Sequence, residues 1–386
     1  MRRLAGVLLA VVLVVAGTAA ASARTAAPAT STAPRTAPPV SISFADSDPI
    51  FGLVGDPHTS AVWFFTFDRT SVLIDRFDAD GRLRSWPVLS SRQTMGGGDL
   101  QYGLAVGPSG GVWFAIGRTL IRLEPATGAV RIWAIPTQRP NLEALRDRPR
   151  HYTARVTDLA VGPRGRVVLA LDPDSSLATF DAATDRWGRI DLPTTSDLVS
   201  SLAYRPDGLV AAGFYDLAHG GGANRVLLAH AGRSHTTRVP GAQAYELTTD
   251  GAKGFLAGTT SPVVISTDGT VTRQIAPRSL VSTDDPYAGL VPLPHHRIAG
   301  LVRGGVTIFS SDARSVKAAA AGARVYASPV VGCGPPGGPP PTAPTHEVCR
   351  EGVETVAADH DGDIWIITGP NDDTVALVPP SAFRSR

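Results

Sequence analysis

Tyr102-Gly103-Leu104-Ala105-Val106-Gly107-Pro108-Ser109-Gly110-Gly111-Val112-Trp113-Phe114 sets two apolar runs on either side of a glycine- and proline-rich turn. Short apolar runs separated by turn residues read as a β-hairpin. Thr119-Leu120-Ile121-Arg122-Leu123 and a second turn at Ala126-Thr127-Gly128 follow, so the unit is two hairpins in succession. It recurs about seven times, and radial repetition of four-stranded units predicts an all-β fold, a seven-bladed β-propeller.

The first hairpins run from Leu53 to Phe64 around Asp56-Pro57, Leu104 to Phe114, Leu159 to Leu169 around Pro163-Arg164-Gly165, and Leu202 to Ala212 around Pro206-Asp207-Gly208. They continue with Leu247 to Leu256 around Thr249-Asp250-Gly251, Leu290 to Leu301 around Pro294-His295-His296, and Val356 to Ile366 around His360-Asp361-Gly362. The second hairpins are Leu73 to Trp86, Ile121 to Trp133, Ala178 to Ile190, Val226 to Val239, Val263 to Ile275 and Val306 to Ala318, the last turning at Ser311-Asp312. The seventh unit has a third strand at Thr374 to Val378 but no fourth, because Pro379-Pro380 follows. Val40-Ser41-Ile42-Ser43-Phe44 has the length and alternation to replace it. The N-terminal strand is therefore expected to close the ring by pairing with the last blade, which also removes an exposed edge.

Arg2-Arg3, an apolar run from Leu4 to Ala16 and small residues ending at Ala21-Ser22-Ala23 stand in the order of a secretory signal peptide. Residues 1–23 are read as that signal. A membrane anchor is the alternative, but the run is near the minimum for a bilayer span and no stop-transfer cluster follows. Residues 24–39, nearly all Ala, Thr, Pro, Ser and Arg, have the composition of a disordered linker. Residues 40–386 are then one propeller domain, expected to be secreted, monomeric and without a transmembrane anchor once the signal is cleaved.

A net charge of +2 from 36 basic and 34 acidic residues gives no reason to invoke nucleic acid or a membrane surface. Lysine occurs only at Lys253 and Lys317, and the Ala, Arg, Pro and Gly content is that of a GC-rich coding sequence. Cys333 and Cys349 flank a Gly- and Pro-rich loop, and in an exported protein such a pair is expected as a disulfide.

The unit from Tyr102 to Phe114 resembles the blade signature of the streptogramin (virginiamycin B) lyases, His-Gly-Ile-Thr leading through Gly-Pro-Asp-Gly to Trp-Phe-Thr-Glu. Partial copies stand at Phe51-Gly52-Leu53 with Val62-Trp63-Phe64, and at Asp361-Gly362-Asp363-Ile364-Trp365. Propellers of the NHL and gluconolactonase-like groups share the pattern. The resemblance implies the fold. The activity it implies is opening of a cyclic depsipeptide ester by elimination, with a metal ion on the ester and a histidine moving the proton. The chain departs from that signature at the residues that matter: Tyr102 stands where the lyases have His, and Thr66 and Ile116 stand where they have Glu. No catalytic His-Glu-His set maps onto it.

Gly107-Pro108-Ser109-Gly110-Gly111 matches the Gly-x-Ser-x-Gly elbow of serine hydrolases, with His219-Gly220-Gly221-Gly222 as a seeming oxyanion segment. An elbow needs a strand-to-helix turn, and Ser109 lies at a hairpin tip. Asp359-His360-Asp361-Gly362-Asp363 alternates carboxylates but has Ile364 and Pro370 where a calcium loop needs Gly and an acid, so it reads as an Asp-Gly turn. His295-His296 also falls in a turn, on the face opposite the usual ligand entrance.

In a propeller the loops at one mouth of the channel carry the chemistry. The residues expected to bind ligand there are Asp68, Tyr102, Tyr152, Asp172, Asp216, Tyr245, Glu246, Asp285 and Tyr287. Two connections exceed what a turn needs: Thr137 to Arg155, with a helix-like Leu142-Glu143-Ala144-Leu145-Arg146, and Tyr215 to Asn224. The function read from these features is binding of a small molecule or a cell-envelope component at the mouth. The alternative is a metal-assisted lyase or lactone-type hydrolase, in which Asp172, Asp216 and Asp285 hold a divalent cation (Mg or Ca) and His151 or His219 handles the proton. A purely structural interaction module is the third.

Overall fold

A computed structural model describes residues 40–44, 50–68, 70–90, 102–136, 155–172, 174–192, 198–215, 225–239, 246–250, 254–258, 262–273, 276, 288–302, 305–327, 353–368 and 374–385. Seven antiparallel sheets stand around a central axis. Blade 1 is Ile50–Gly55, Ala61–Phe67, Ser71–Asp78 and Leu83–Ser90, and blade 2 is Tyr102–Val106, Val112–Ile116, Thr119–Glu124 and Ala129–Ala134. Blade 3 comprises Arg155–Val161, Arg166–Asp172, Ser176–Asp181 and Arg186–Asp191, and blade 4 comprises Leu198–Tyr204, Val210–Tyr215, Arg225–His230 and Arg233–Arg238. Glu246–Asp250, Gly254–Gly258, Val263–Ile265 and Val271–Arg273 make blade 5. Blade 6 begins with Ala288–Leu293, Arg297–Val302 and Gly305–Ser310, and blade 7 with Val353–Ala358, Ile364–Thr368 and Thr374–Val378.

The first strand of each blade is innermost and packs against the first strands of both neighbours, the last against the first. That approach needs small residues on the inner strands. A Cβ at Gly103 would lie 2.7 Å from the backbone nitrogen of Leu159 in blade 3. Gly52 adopts φ +57°, and a Cβ there would lie 2.9 Å from the ring of Tyr102. These two positions explain the glycine of the Phe-Gly-Leu and Tyr-Gly-Leu steps. The second strands are apolar on both faces because each is covered by two blades, as in Val112–Ile116, buried at every position. Trp63, Trp113 and Trp365 occupy equivalent places there and are fully buried.

Ser41–Ser43 pairs antiparallel with Thr374–Val378 and supplies the fourth strand of blade 7. Leu377 N donates to Val40 O at 2.9 Å, Ser43 and Thr374 hydroxyls meet at 2.8 Å, and Phe44 packs edge-on against Phe64 of blade 1.

Blade 6 differs from the sequence expectation. The segment after Ser310 does not turn back at Ser311-Asp312 into a strand ending at Ala318; it forms a short helix, Val316–Ala321. Ser315 caps it by accepting from Ala318 N at 3.1 Å, and the alanine run that follows favours helix over strand. The outer strand comes later, at Arg324–Ala327, and Arg384–Ser385 pairs with it as a fifth. Pro379-Pro380 ends the third strand of blade 7 without ending the fold.

The closing strand yields a prediction for two truncations. Removal of residues 24–36 leaves the melting temperature unchanged. Removal of residues 24–45 breaks about four hydrogen bonds worth on the order of 1 kcal/mol each, lowering it by roughly 5 °C or more, and promotes aggregation through the bared edge. Thermal melts and sedimentation of the two proteins check this.

Candidate functional site

The inner strands all begin at one end of the channel, and the turns between second and third strands return to that same end. Blade 3 there holds a concentration of buried polar groups. Asp172 ends the second strand, in register with Arg155, the first residue of the inner strand. Asp172, Asp174 and Ser176 are all nearly inaccessible, as is Ser201 on the neighbouring inner strand. Arg118, from the corresponding turn of blade 2, stands 3.6 Å from Asp174 and donates to Pro136 O at 3.1 Å. Burying a carboxylate costs several kcal/mol unless it is paired, so this turn is held by charge across the blade junction.

Just inside that end, the inner strands carry bulges. Register shifts fall between Phe51 and Val54, Val156 and Asp158, Val199 and Ser201, Ala288 and Val291, and Val353 and Thr355. A bulge frees backbone groups and re-aims side chains. In blade 3 the freed groups are tied to blade 4: Thr157 Oγ1 donates to Val199 O at 2.9 Å, and Asp158 Oδ2 accepts from Leu202 N at 2.6 Å. In blade 2, Tyr102 reaches back to blade 1, where its hydroxyl accepts from Gly52 N at 3.1 Å. Its ring lies 4.5 Å from that of Phe65.

The residues expected from sequence divide accordingly. Tyr102 and Asp172 lie at the mouth, Tyr102 at the junction of blades 1 and 2 and Asp172 on blade 3. Asp68 lies at the same end, where Oδ1 accepts from the backbone nitrogens of Thr70 and Ser71 and so closes its own turn. Glu246 begins the inner strand of blade 5. His151, Tyr152, Asp216, His219, Tyr245, Asp285, Tyr287, Cys333 and Cys349 lie outside the described residues. Among those described, no three His, Cys, Asp or Glu side chains form a metal-holding group. Sequence reading missed Asp158 and Arg118 as site residues. Asp158 was legible as a carboxylate inside the inner strand Arg155–Val161; Arg118 pairs with a residue 56 positions away, and no local pattern marks that contact.

The opposite face carries the Asp359–Asp363 turn. Asp359 Oδ1 accepts from the backbone nitrogens of Asp361 and Asp363, and Oδ2 accepts from Trp365 Nε1 at 2.9 Å. Asp361 accepts from the Ser60 hydroxyl, and His360 Nδ1 lies 2.9 Å from Pro57 O, so the turn docks blade 7 onto blade 1. Asp56 and Trp63 repeat the Asp-to-Trp bond in blade 1 at 3.1 Å. The pattern that resembles a calcium loop is thus a hydrogen-bonded turn. His295 and His296 form the corresponding turn of blade 6 with φ +60° and +55°.

No family model matches the chain, and no curated protein matches it. Among solved structures it is similar to a streptogramin B lyase, with a TM-score of 0.60 and 13% identity over 88% of this chain and 95% of that one. The WD40 domain of Neurospora crassa Pan2 matches with a TM-score of 0.56 and 10% identity, covering 87% of this chain and 93% of the other. YCF48 bound to a D1 peptide gives 0.52 and 8%, covering 88% and 94%. At these identities the likeness establishes the propeller fold.

The crowded turn of blade 7 predicts a pH effect. Burial, with repulsion from Asp359 and Asp361, holds the Asp363 carboxyl above the usual carboxylate pKa. The folded state therefore binds that proton more tightly than the unfolded chain, and ionised Asp363 destabilises the fold above its folded pKa. Asp363→Asn should raise the melting temperature at pH 7, and the gain should vanish as pH falls below the ordinary carboxylate value near 4. Melts of both proteins at pH 7 and at about pH 3.5 measure it.

Proposed function

We propose that the protein is an exported propeller that binds a small polar molecule or a cell-envelope component at the mouth, over blades 2 to 4, without transforming it. The observation that carries this reading is the buried Asp172 and Asp174 at the mouth of blade 3, with Arg118 paired to Asp174 and Arg155 in register with Asp172. Charged groups withdrawn from water on a rigid scaffold are what recognition of a polar ligand requires, since they need no reorganisation when it arrives. The strands Ala129–Ala134 of blade 2 and Val210–Tyr215 of blade 4, which precede the two long connections, both finish at this same end. Export is supported by the charged, apolar and small-residue order of residues 1–23.

The metal-assisted lyase or hydrolase is the second reading. Its support is the propeller fold shared with a streptogramin B lyase and the presence of Asp172 at the mouth. In that reading Asp172, Asp216 and Asp285 would hold the divalent cation, whose chemistry is to polarise an ester carbonyl; His151 or His219 would take and return the proton.

Thermal-shift screening of the wild type against Asp172→Asn and Arg155→Ala separates the readings. The binding reading expects small-molecule hits whose shifts are lost in both variants, with the compound recovered intact by mass spectrometry. Recovery of a ring-opened or hydrolysed product in the presence of Mg²⁺ or Ca²⁺ would establish the second reading instead. Hits unaffected by either variant overturn the placement at blade 3. For export, mass spectrometry of the culture supernatant should find a mature N-terminus at Arg24 and a peptide joining Cys333 to Cys349.

A further inference from the structure

The gap between two blades widens from the channel to the rim, and aromatic side chains fill it at several junctions, Phe77 against Trp365 between blades 1 and 7 among them. Between blades 1 and 2, Trp63 and Trp86 stand 5.5 Å apart, with Gly128 of blade 2 against the Trp86 ring. Between blades 2 and 3, Trp133 lies 4.9 Å from Phe180, which lies 4.7 Å from Trp187. The junction of blades 3 and 4 is built differently. On its outer strands blade 3 presents Thr179 opposite Gly188, and blade 4 presents Tyr204, Val210 and Ala229. A groove of about 740 Å³ results. A Cβ at Gly188 would meet only Thr179 Oγ1, at 2.8 Å, so a side chain there would enter the groove only after that hydroxyl turned aside.

The groove is apolar at its base and basic at its edges. Ile190, Val210 and Ala229 lie along the base. Arg166 is held 3.8 Å from Asp181 and Arg189 3.1 Å from Asp191. Arg186 on the blade 3 wall and Arg233 on the blade 4 wall have no carboxylate partner among the described residues. Tyr204, hydrogen-bonded to Arg166, lines the groove as a hydroxyl, and burial pushes its pKa above the usual phenol value.

We propose that this interblade groove binds a small amphiphilic anion, its apolar body against Ile190, Val210 and Ala229 and its acidic head on Arg186 and Arg233. The volume is that of a small-molecule site, and unpaired arginines at the edge of an apolar slot select a negative head group. The groove is lined by Thr184, Gly208, Ala231 and Gly232 from turns at the end opposite the mouth, so the proposal stands apart from the reading of the mouth.

The probe is 8-anilinonaphthalene-1-sulfonate, an aryl sulfonate whose fluorescence rises when its rings leave water. Titrated into the folded protein at low ionic strength, it should occupy one saturable site. Arg186→Glu and Arg233→Glu should each weaken it by about tenfold, at an unchanged melting temperature. Gly188→Leu should abolish binding, because the leucine side chain enters the groove once the Thr179 hydroxyl turns aside. Binding that persists undiminished in Gly188→Leu overturns the proposal. If that variant does not fold, the charge reversals decide, and undiminished binding in both overturns it equally.

Discussion

A ring of sheets exists only if each inner strand lies flat against the next one all the way round. The contact is a steric constraint before it is an attraction, since a Cβ at Gly103 would sit on the Leu159 backbone and one at Gly52 on the Tyr102 ring. Small residues at those points let neighbouring sheets approach, and the apolar second strands then have two blades to be buried between. The polar devices are arranged around that contact. Tyr102 to Gly52, Asp158 to Leu202 and Thr157 to Val199 each join inner strands of adjacent blades where a bulge has freed a backbone group or a side chain. All three of these bonds cross from one blade to the next, so neighbouring blades stabilise one another.

This explains which parts were legible in the sequence. Hairpins such as Tyr102 to Phe114 are encoded locally, by turn residues between apolar runs, and the blade count follows from repetition. The closing strand was legible because blade 7 lacked one. Blade 6 was not: the alanine run after Ser315 has its own helical preference, and the Arg384–Ser385 strand is too short to announce itself. The Asp359 turn was legible as a turn for the same local reason, down to its Asp-Gly step.

The candidate sites follow the same division. Asp172 was found from sequence because it ends a strand at a predictable mouth. Its surroundings depend on which blade stands beside it, and the pairing of Arg118 with Asp174 crosses a blade boundary. The groove between blades 3 and 4 was illegible for a related reason. It arises from threonine and glycine where blade 2 sets Arg122 opposite Arg131, and from Ile190 where blade 2 has Trp133, and small residues in a strand carry no signal of the space they leave.

The contact between Ser43 and Thr374 joins residues 331 positions apart in the chain. The strand that seals the ring is the first part of the domain to be synthesised, and its partner is among the last. It must therefore stay extended and uncommitted while six blades condense beside it. Folding of this ring ends only after the entire chain is free, and its final step, the docking of the oldest segment against the newest, is the slow, long-range event expected of a topology rich in distant contacts.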